Sequence, residues 1–290
     1  KENPDVMKAA IAIEMVHAYL LAVDDFNDKS DLRRSLPTMH KLHQKYHMDR
    51  LFTGDSLHYG NSIAVYVGLL GMHHANILLS QLAFNPELLL KALRIVNDTV
   101  NITIYGQIRD ILNQQAPNVK EEDVMEVHRF KTARYTYFNP IQIGAALAGQ
   151  TDQMISKFKT YTEKAGIAFQ IQDDILGVFG KPEDTGKSNM DDIMEGKATL
   201  LTIYALEKAT PEQTTILKQA IGDRNLKPEL FEQVQQVIRD TGSLEHSKQV
   251  AHELVKDAKE SMYKEFPEYV ENEGFKFITG IADYMIERKL

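Results

Sequence analysis

Along almost the whole chain apolar residues recur at the three- and four-residue spacing of an α-helix, and the strict alternation of a β-strand bounded by turn residues is nearly absent. The stretches are filled with Ala, Leu, Ile, Met, Gln, Glu and Lys, for the most part strong helix formers. An all-α fold follows. The pattern is broken at Pro37, Gly54-Asp55, Asn85-Pro86, Ala116-Pro117-Asn118, Asn139-Pro140, Gly149-Gln150, Gly180 to Gly186, Thr210-Pro211 and Gly222-Asp223, where turn-forming residues gather. Several of the intervals hold helices of about 20 residues, which suits a large bundle whose central cavity can house a ligand. Thr210-Pro211-Glu212 and Asn85-Pro86-Glu87 each place a capping residue before a proline suited to the first helical turn. The histidine-rich segment Lys41 to His58 has little apolar periodicity and is expected to be a loop or irregular insertion.

With 290 residues, 43% of them hydrophobic, the chain can bury one sizeable core. No low-complexity linker or repeat divides it, so a single domain over 1–290 is expected. The formal net charge of −8 argues against a broad nucleic-acid-binding surface and against polybasic attachment to a membrane. With no cysteine, a disulfide framework, a thiolate metal site and a thiol nucleophile are all excluded, and the composition fits a reducing, cytoplasmic setting. No signal peptide is visible. The apolar run Ala9 to Val23 is interrupted by Glu14 and His17 and falls short of the roughly 20 apolar residues of a membrane span. A soluble protein with no membrane span is expected.

Two carboxylate clusters carry the chemistry. Asp24-Asp25-Phe26-Asn27-Asp28 ends the first apolar stretch, and on a helix Asp24 and Asp28 share one face with Asp25 beside them. Gln172-Asp173-Asp174 follows the apolar stretch Ala165 to Ile171 in the same way. A single such pair is usually a solvated helix end, but two on apolar helices, with basic residues at hand, point to metal. Oxygen-only sites of this kind suit Mg²⁺, held by one or two carboxylates together with waters and substrate phosphates. Arg33-Arg34 offer rigid, permanently charged forks for phosphate oxygens, and Lys131, Lys187 and Lys197 are further candidates. His43 and His47 have a metal-like i, i+4 spacing, but a solvated loop accounts for them better.

Taken in order, these residues resemble the polyprenyl synthetases, the trans-isoprenyl diphosphate synthases that make farnesyl, geranylgeranyl and longer-chain diphosphates. Asp24-Asp25-Phe26-Asn27-Asp28 with Arg33-Arg34 and Pro37-Thr38 resembles the first aspartate-rich motif, and Gly106-Gln107-Ile108-Arg109-Asp110 the GQxxD element. Lys131-Thr132-Ala133-Arg134-Tyr135-Thr136 resembles KTxxYT. Phe169 to Asp174 resembles the second aspartate-rich motif, and Thr185-Gly186-Lys187, Asp192-Ile193 and Gly196-Lys197 the segment after it. The resemblance implies that Asp24, Asp25, Asp28, Asp173 and Asp174 bind three Mg²⁺ ions bridging an allylic diphosphate. It implies further that Arg33, Lys131, Lys187 and Lys197 neutralise that diphosphate, that Arg34 helps to hold isopentenyl diphosphate, and that Thr132 and Gln170 line the reacting centre. A homodimer is also implied.

The sequence departs from that pattern in places. Gly177 stands where many members have the third aspartate of the second motif, Val23 where a histidine is common, and Leu69 where an aspartate is usual. The GGKRxRP element that precedes the first motif is absent, so further helices upstream of the given sequence are expected. Tyr19, five residues before Asp24, resembles an aromatic floor that limits the product to farnesyl or geranylgeranyl size. The short spacing from Asp28 to Arg33 favours geranylgeranyl diphosphate, with farnesyl diphosphate as the alternative. A terpene cyclase shares such aspartate-rich helices but not the accompanying Arg33-Arg34 and Lys131-Thr132 elements. A non-catalytic partner subunit is the remaining alternative.

Overall fold

The structure is a computed structural model that describes residues 3–182, 186 and 188–287. It is all-α, with one two-stranded hairpin among the described residues. The contacts divide the chain into two compact units. The first runs up to Val96 and takes in Gln142–Gly149; the second comprises Asn97–Ile141 and the chain from Gln150 onward.

In the first unit α1 (Pro4–Asp28) starts at Asn3, whose side chain accepts the Asp5 amide at 3.0 Å, with Pro4 pre-set in the first turn. It ends at Lys29 in a left-handed conformation. A tight hairpin follows, β1 (Leu32–Arg33) paired with β2 (Leu36–Pro37), and its two turn residues, Arg34 and Ser35, both have positive φ. That is the geometry of a two-residue hairpin, here built without glycine. The chain continues through α2 (Met39–Asp49), α3 (Ser56–Ser80) and the start of α4 (Pro86–Asn113).

Small residues on α3 set the packing of this unit. A Cβ added to Gly60 would lie 2.2 Å from the His40 carbonyl oxygen of α2, one at Gly68 would lie 2.6 Å from Val23 Cγ2, and one at Gly71 would lie 2.6 Å from Tyr19 Cβ. With Ala64 and Ala75 fully buried between them, α3 presents a groove into which α1 and α2 press. By length and composition α1 and α3 could each also cross a membrane, although core helices of globular proteins pass the same test.

The histidine-rich insertion is a helix, not a loop: α2 covers Met39–Asp49 and α3 begins at Ser56. Its buried face is made of His40 and His47 rather than aliphatic residues, so hydropathy periodicity misses it. The His47 ring packs against Phe52 and Tyr59, and among the described residues no three His, Asp or Glu side chains form a metal-holding group.

The second unit holds the larger core. Helix α5 (Glu121–Val127) passes directly into an eleven-residue π-helical segment, His128–Phe138, and then into the start of α6 (Asn139–Leu147), whose residues from Gln142 onward belong to the first unit. Asn139-Pro140 therefore does not break the chain as its turn chemistry predicts. Proline is tolerated one residue into the switch from π to α geometry, a point at which the regular hydrogen-bond ladder is already interrupted. After α7 (Asp152–Ser156), α8 (Lys159–Phe179) runs through the centre, burying Ala165, Ala168, Ile171, Ile175 and Val178. Gly166 lets α8 approach the π segment, since a Cβ there would lie 2.5 Å from Ala133 Cα.

Around α8 lie α9 (Asp191–Glu195), α10 (Leu200–Lys208), α11 (Pro211–Ala220), α12 (Pro228–Asp240), α13 (Ser243–Glu265) and α14 (Glu273–Glu287). The predicted start at Thr210-Pro211 is present, with the Thr210 hydroxyl accepting the Gln213 amide at 3.3 Å. α12 shows the pattern plainly: Phe231, Val234, Val237 and Ile238 fall on one face and are all buried. Each such side chain contributes roughly 1.5–3 kcal/mol of burial.

Candidate active site

At the C-terminal end of α1 the aspartates do not share one environment. Asp25 is buried and grips Arg33 from the hairpin: Nε donates to Oδ1 at 2.8 Å and Oδ2 at 2.9 Å, and Nη2 lies 2.6 Å from Oδ1. This two-pronged pairing fixes the guanidinium plane as well as its position. Asp28 is buried and Asp24 half-buried one turn before it on the same face.

The hairpin is itself anchored. The Thr38 hydroxyl donates to the Ser30 carbonyl at 2.7 Å, so its oxygen is left to accept from His40 Nδ1 at 3.2 Å. His40 is only 2% exposed, and burial, with Lys41 adding to it, holds its pKa below the usual histidine value. His17, one helix face away, is likewise held low, chiefly by burial and further by Arg34 and Arg33. Tyr19 lies against Gly71 of α3, and burial pushes its hydroxyl up to about 12.

In the second unit the GQxxD and KTxxYT elements meet. A Cβ on Gly106 would lie 2.3 Å from the Lys131 backbone nitrogen, so only glycine lets α4 approach the π segment this closely. One turn further on, Asp110 is buried and its Oδ2 binds Lys131 Nζ at 2.7 Å. The glycine sets the distance and the aspartate holds the lysine. Lys197 is pinned in the same manner by Asp192, with Nζ to Oδ1 at 3.1 Å, and Glu195 stands 3.9 Å away. Three cations expected on the diphosphate, Arg33, Lys131 and Lys197, are therefore each oriented by a buried carboxylate. Arg34 is exposed on the hairpin turn, and Lys187 lies outside the described residues.

A buried chain of hydrogen bonds joins the π segment to α8. The Thr132 hydroxyl donates to Gln170 Oε1 at 2.6 Å, and Gln170 Nε2 donates to Asp174 Oδ1 at 2.9 Å. His128 Nε2 stands 3.1 Å from Asp174 Oδ2. Asp174, which is 4% exposed, thus accepts a hydrogen bond at Oδ1, while its Oδ2 lies beside His128 without one. Its neighbour Asp173 is half-buried and pairs with no described residue. A run of eleven π-helical residues is itself a functional marker, because the wide turn is uncommon and gathers at sites.

Thr132 and Gln170 are brought together as their motifs imply. Asp110, His128 and the Thr38–His40 pair are absent from the expected site residues. For Asp110 a signal existed, the four-residue step from Gly106 that puts the two on one helix face. For His128 the sequence offers only its place three residues before Lys131.

The donor set fits Mg²⁺: it is all oxygen, it is carboxylate, and Asp173 pairs with no described residue. A profile of the polyprenyl synthetase family matches residues 1–238. The geranylgeranyl diphosphate synthase of Saccharolobus solfataricus is 31% identical over 287 residues, 97% of this chain and 80% of that protein. The octaprenyl diphosphate synthase of Escherichia coli is 32% identical over 251 residues, 87% of this chain and 70% of that protein. Among solved structures, a Corynebacterium glutamicum geranylgeranyl pyrophosphate synthase, complexed with isoprenyl diphosphate and magnesium, superposes with a TM-score of 0.93 at 33% identity, covering 99% of this chain and 80% of that one. The chain belongs to the polyprenyl synthetase family and is a prenyltransferase.

Proposed function

We propose that this prenyltransferase joins isopentenyl diphosphate to an allylic diphosphate in an Mg²⁺-dependent reaction and releases geranylgeranyl diphosphate. The observation that carries the reading is the likeness at TM-score 0.93 to a synthase whose structure holds isoprenyl diphosphate and magnesium. Relatives range in name from geranylgeranyl to octaprenyl diphosphate synthases, so chain length rests on this chain's own residues. Tyr19, buried on α1 five residues before Asp24, supports a short product, because an aromatic ring at that place would close the space that a longer tail needs.

Mg²⁺, when bound, supplies charge that stabilises the diphosphate as the carbon–oxygen bond breaks. Asp24, Asp28 and Asp173 are the carboxylates we assign to it directly. Asp25 and Asp174 belong to the same clusters but act through Arg33 and through Gln170 and His128, which they hold in place. Arg33, Lys131 and Lys197 offer donors already oriented toward developing negative charge, so little reorganisation is needed during reaction. Lys187 is assigned to the same diphosphate and Arg34 to isopentenyl diphosphate. Thr132 and Gln170 place oriented dipoles at the allylic centre, and the apolar side chains of α8 keep water from the cation.

We assign a homodimer to the exposed stripe Tyr66, Leu69, Leu70 and Ile77 of α3, which a second copy would cover. Sedimentation at micromolar concentration tests that assignment. The activity is tested by incubating the protein with labelled isopentenyl diphosphate, dimethylallyl or farnesyl diphosphate and Mg²⁺, and separating products by length with an EDTA control. A metal-dependent twenty-carbon product is expected. A longer product would remove the chain-length assignment, and no product would favour a non-catalytic partner subunit.

A further inference from the structure

The back of the π segment carries charge that the candidate active site does not use. Arg129, Ala133, Arg134 and Phe138 recur at the four- and five-residue spacing of a π-helical turn, so they share one face, and that face leaves out Lys131 and Thr132. Together with the first turns of α8 it lines a narrow cleft, to which α8 adds Lys159 and Glu163. Three cations thus line the cleft with one carboxylate, in a chain whose formal net charge is −8.

Each of the three stands where stability alone would not place it. Lys159 is the first residue of α8, at the positive end of the helix dipole, where a cation is disfavoured, and no described carboxylate pairs with it. The Arg134 guanidinium lies over the Phe138 ring, 5.5 Å from its centroid, and its buried Nε has no hydrogen-bond partner among the described residues. Arg129 Nε stands 2.8 Å from Glu163 Oε1 but is also buried without an aligned acceptor. Buried charged donors left in this state cost stability. The group can nevertheless be reached, because Lys159 is exposed and the Arg129 side chain is 42% exposed. An anion with several oxygens, entering between them, would give the two guanidinium groups acceptors and would stand favourably at the start of α8.

We propose that this cleft is a second anion site, which binds a diphosphate group without Mg²⁺ on the back of the segment whose front carries Lys131 and Thr132. Two arginine forks match phosphate oxygens, and three fixed positive charges suit a group with more than one negative charge. A single lining carboxylate gives no pair to hold a metal ion, so the neutralising charge is the protein's own. An anion joining Arg129 and Arg134 to Lys159 would also fasten the π segment to α8 where the two run closest, at Gly166 and Ala133.

Calorimetric titration with inorganic pyrophosphate in EDTA, at low salt, reads this site without metal. The wild type is expected to bind, and Arg134→Gln/Lys159→Gln to lose about 10-fold or more of that affinity, since two charged donors are gone. The turnover of the double variant with Mg²⁺ is expected to be unchanged. Lys159→Gln alone, at an exposed position, guards against loss of fold and is expected to weaken binding by itself. Lys131→Gln, on the front of the segment, is expected to keep the metal-free binding. Geranyl diphosphate in the same buffer separates the sources of the group: an affinity no higher than that of pyrophosphate, expected from so narrow a cleft, assigns the free anion, and a higher one assigns a prenyl diphosphate. A wild type that binds neither in EDTA, or metal-free binding lost in Lys131→Gln and kept in Arg134→Gln/Lys159→Gln, would overturn the inference and leave the proposed condensation untouched.

Discussion

Neighbouring aspartates on α8 should respond to the same substitution in opposite ways. Asp174→Ala would remove the acceptor of Gln170 Nε2 at 2.9 Å and the carboxylate that stands 3.1 Å from His128 Nε2. Leaving a buried donor unsatisfied costs about 1–3 kcal/mol, so the loss in stability should be about 1–3 kcal/mol. With a urea slope of about 2–3 kcal/mol/M, the unfolding midpoint should fall by about 0.3–1.5 M. Asp173→Ala removes a half-buried group that pairs with no described residue and should change stability by no more than about 0.5 kcal/mol. Its turnover should drop by about 100-fold or more, because a direct metal carboxylate is gone.

Asparagine sharpens the contrast. At 174 the amide oxygen can still accept from Gln170, so Asp174→Asn should regain most of the stability and much of the activity. At 173 the charge itself is the working part, so Asp173→Asn should stay inactive. Urea titration followed by circular dichroism, beside steady-state rates across an Mg²⁺ series, gives both readings. The reasoning is refuted if Asp174→Asn is as inactive as Asp173→Asn while remaining stable, since Asp174 would then be a ligand rather than a brace.

Tyr19→Ala should lengthen the product by at least one isoprene unit, because it empties a buried volume beside Gly71; chromatography of the dephosphorylated products checks this, and an unchanged distribution would remove the floor. Ser35→Gly should raise stability by up to about 1 kcal/mol, since Ser35 sits at φ 63 where a side chain is strained and glycine is not, and differential scanning calorimetry would show it. Acid should weaken the first unit early. His17 and His40 have pKa values depressed by burial, so the folded state resists protons that the unfolded chain accepts, and their contribution is complete above pH 6.5, the ordinary histidine value, and lost as pH falls below it. Denaturant midpoints from pH 7.5 to 5.5 should follow that curve, and His40→Gln should flatten it.

The all-helical class was legible because periodicity is a local property, and α12 or the Thr210 cap can be read from a dozen residues. The α2 helix was not, because its core face is built from His40, whose ring meets Phe26, and His47, whose ring meets Phe52 and Tyr59, rather than from aliphatic residues. The aspartates and cations of the site could be named one by one, but their roles depend on partners. Asp25 and Arg33 are eight residues apart, Asp110 and Lys131 twenty-one, and Thr132 and Gln170 thirty-eight. Only the fold decides which of two adjacent aspartates is tied down.

That decision has a consistent sense. In the three aspartate doublets the second member, Asp25, Asp174 or Asp192, is buried and holds a neighbouring group: Arg33, Gln170 or Lys197. On a helix, adjacent residues point about 100° apart, so the two members of a doublet at the edge of a buried face meet different surroundings. On the roles proposed above, each doublet of the aspartate-rich motifs is a ligand and its support. A lone aspartate at either place would leave the metal without a fixed second layer, or the brace without a metal.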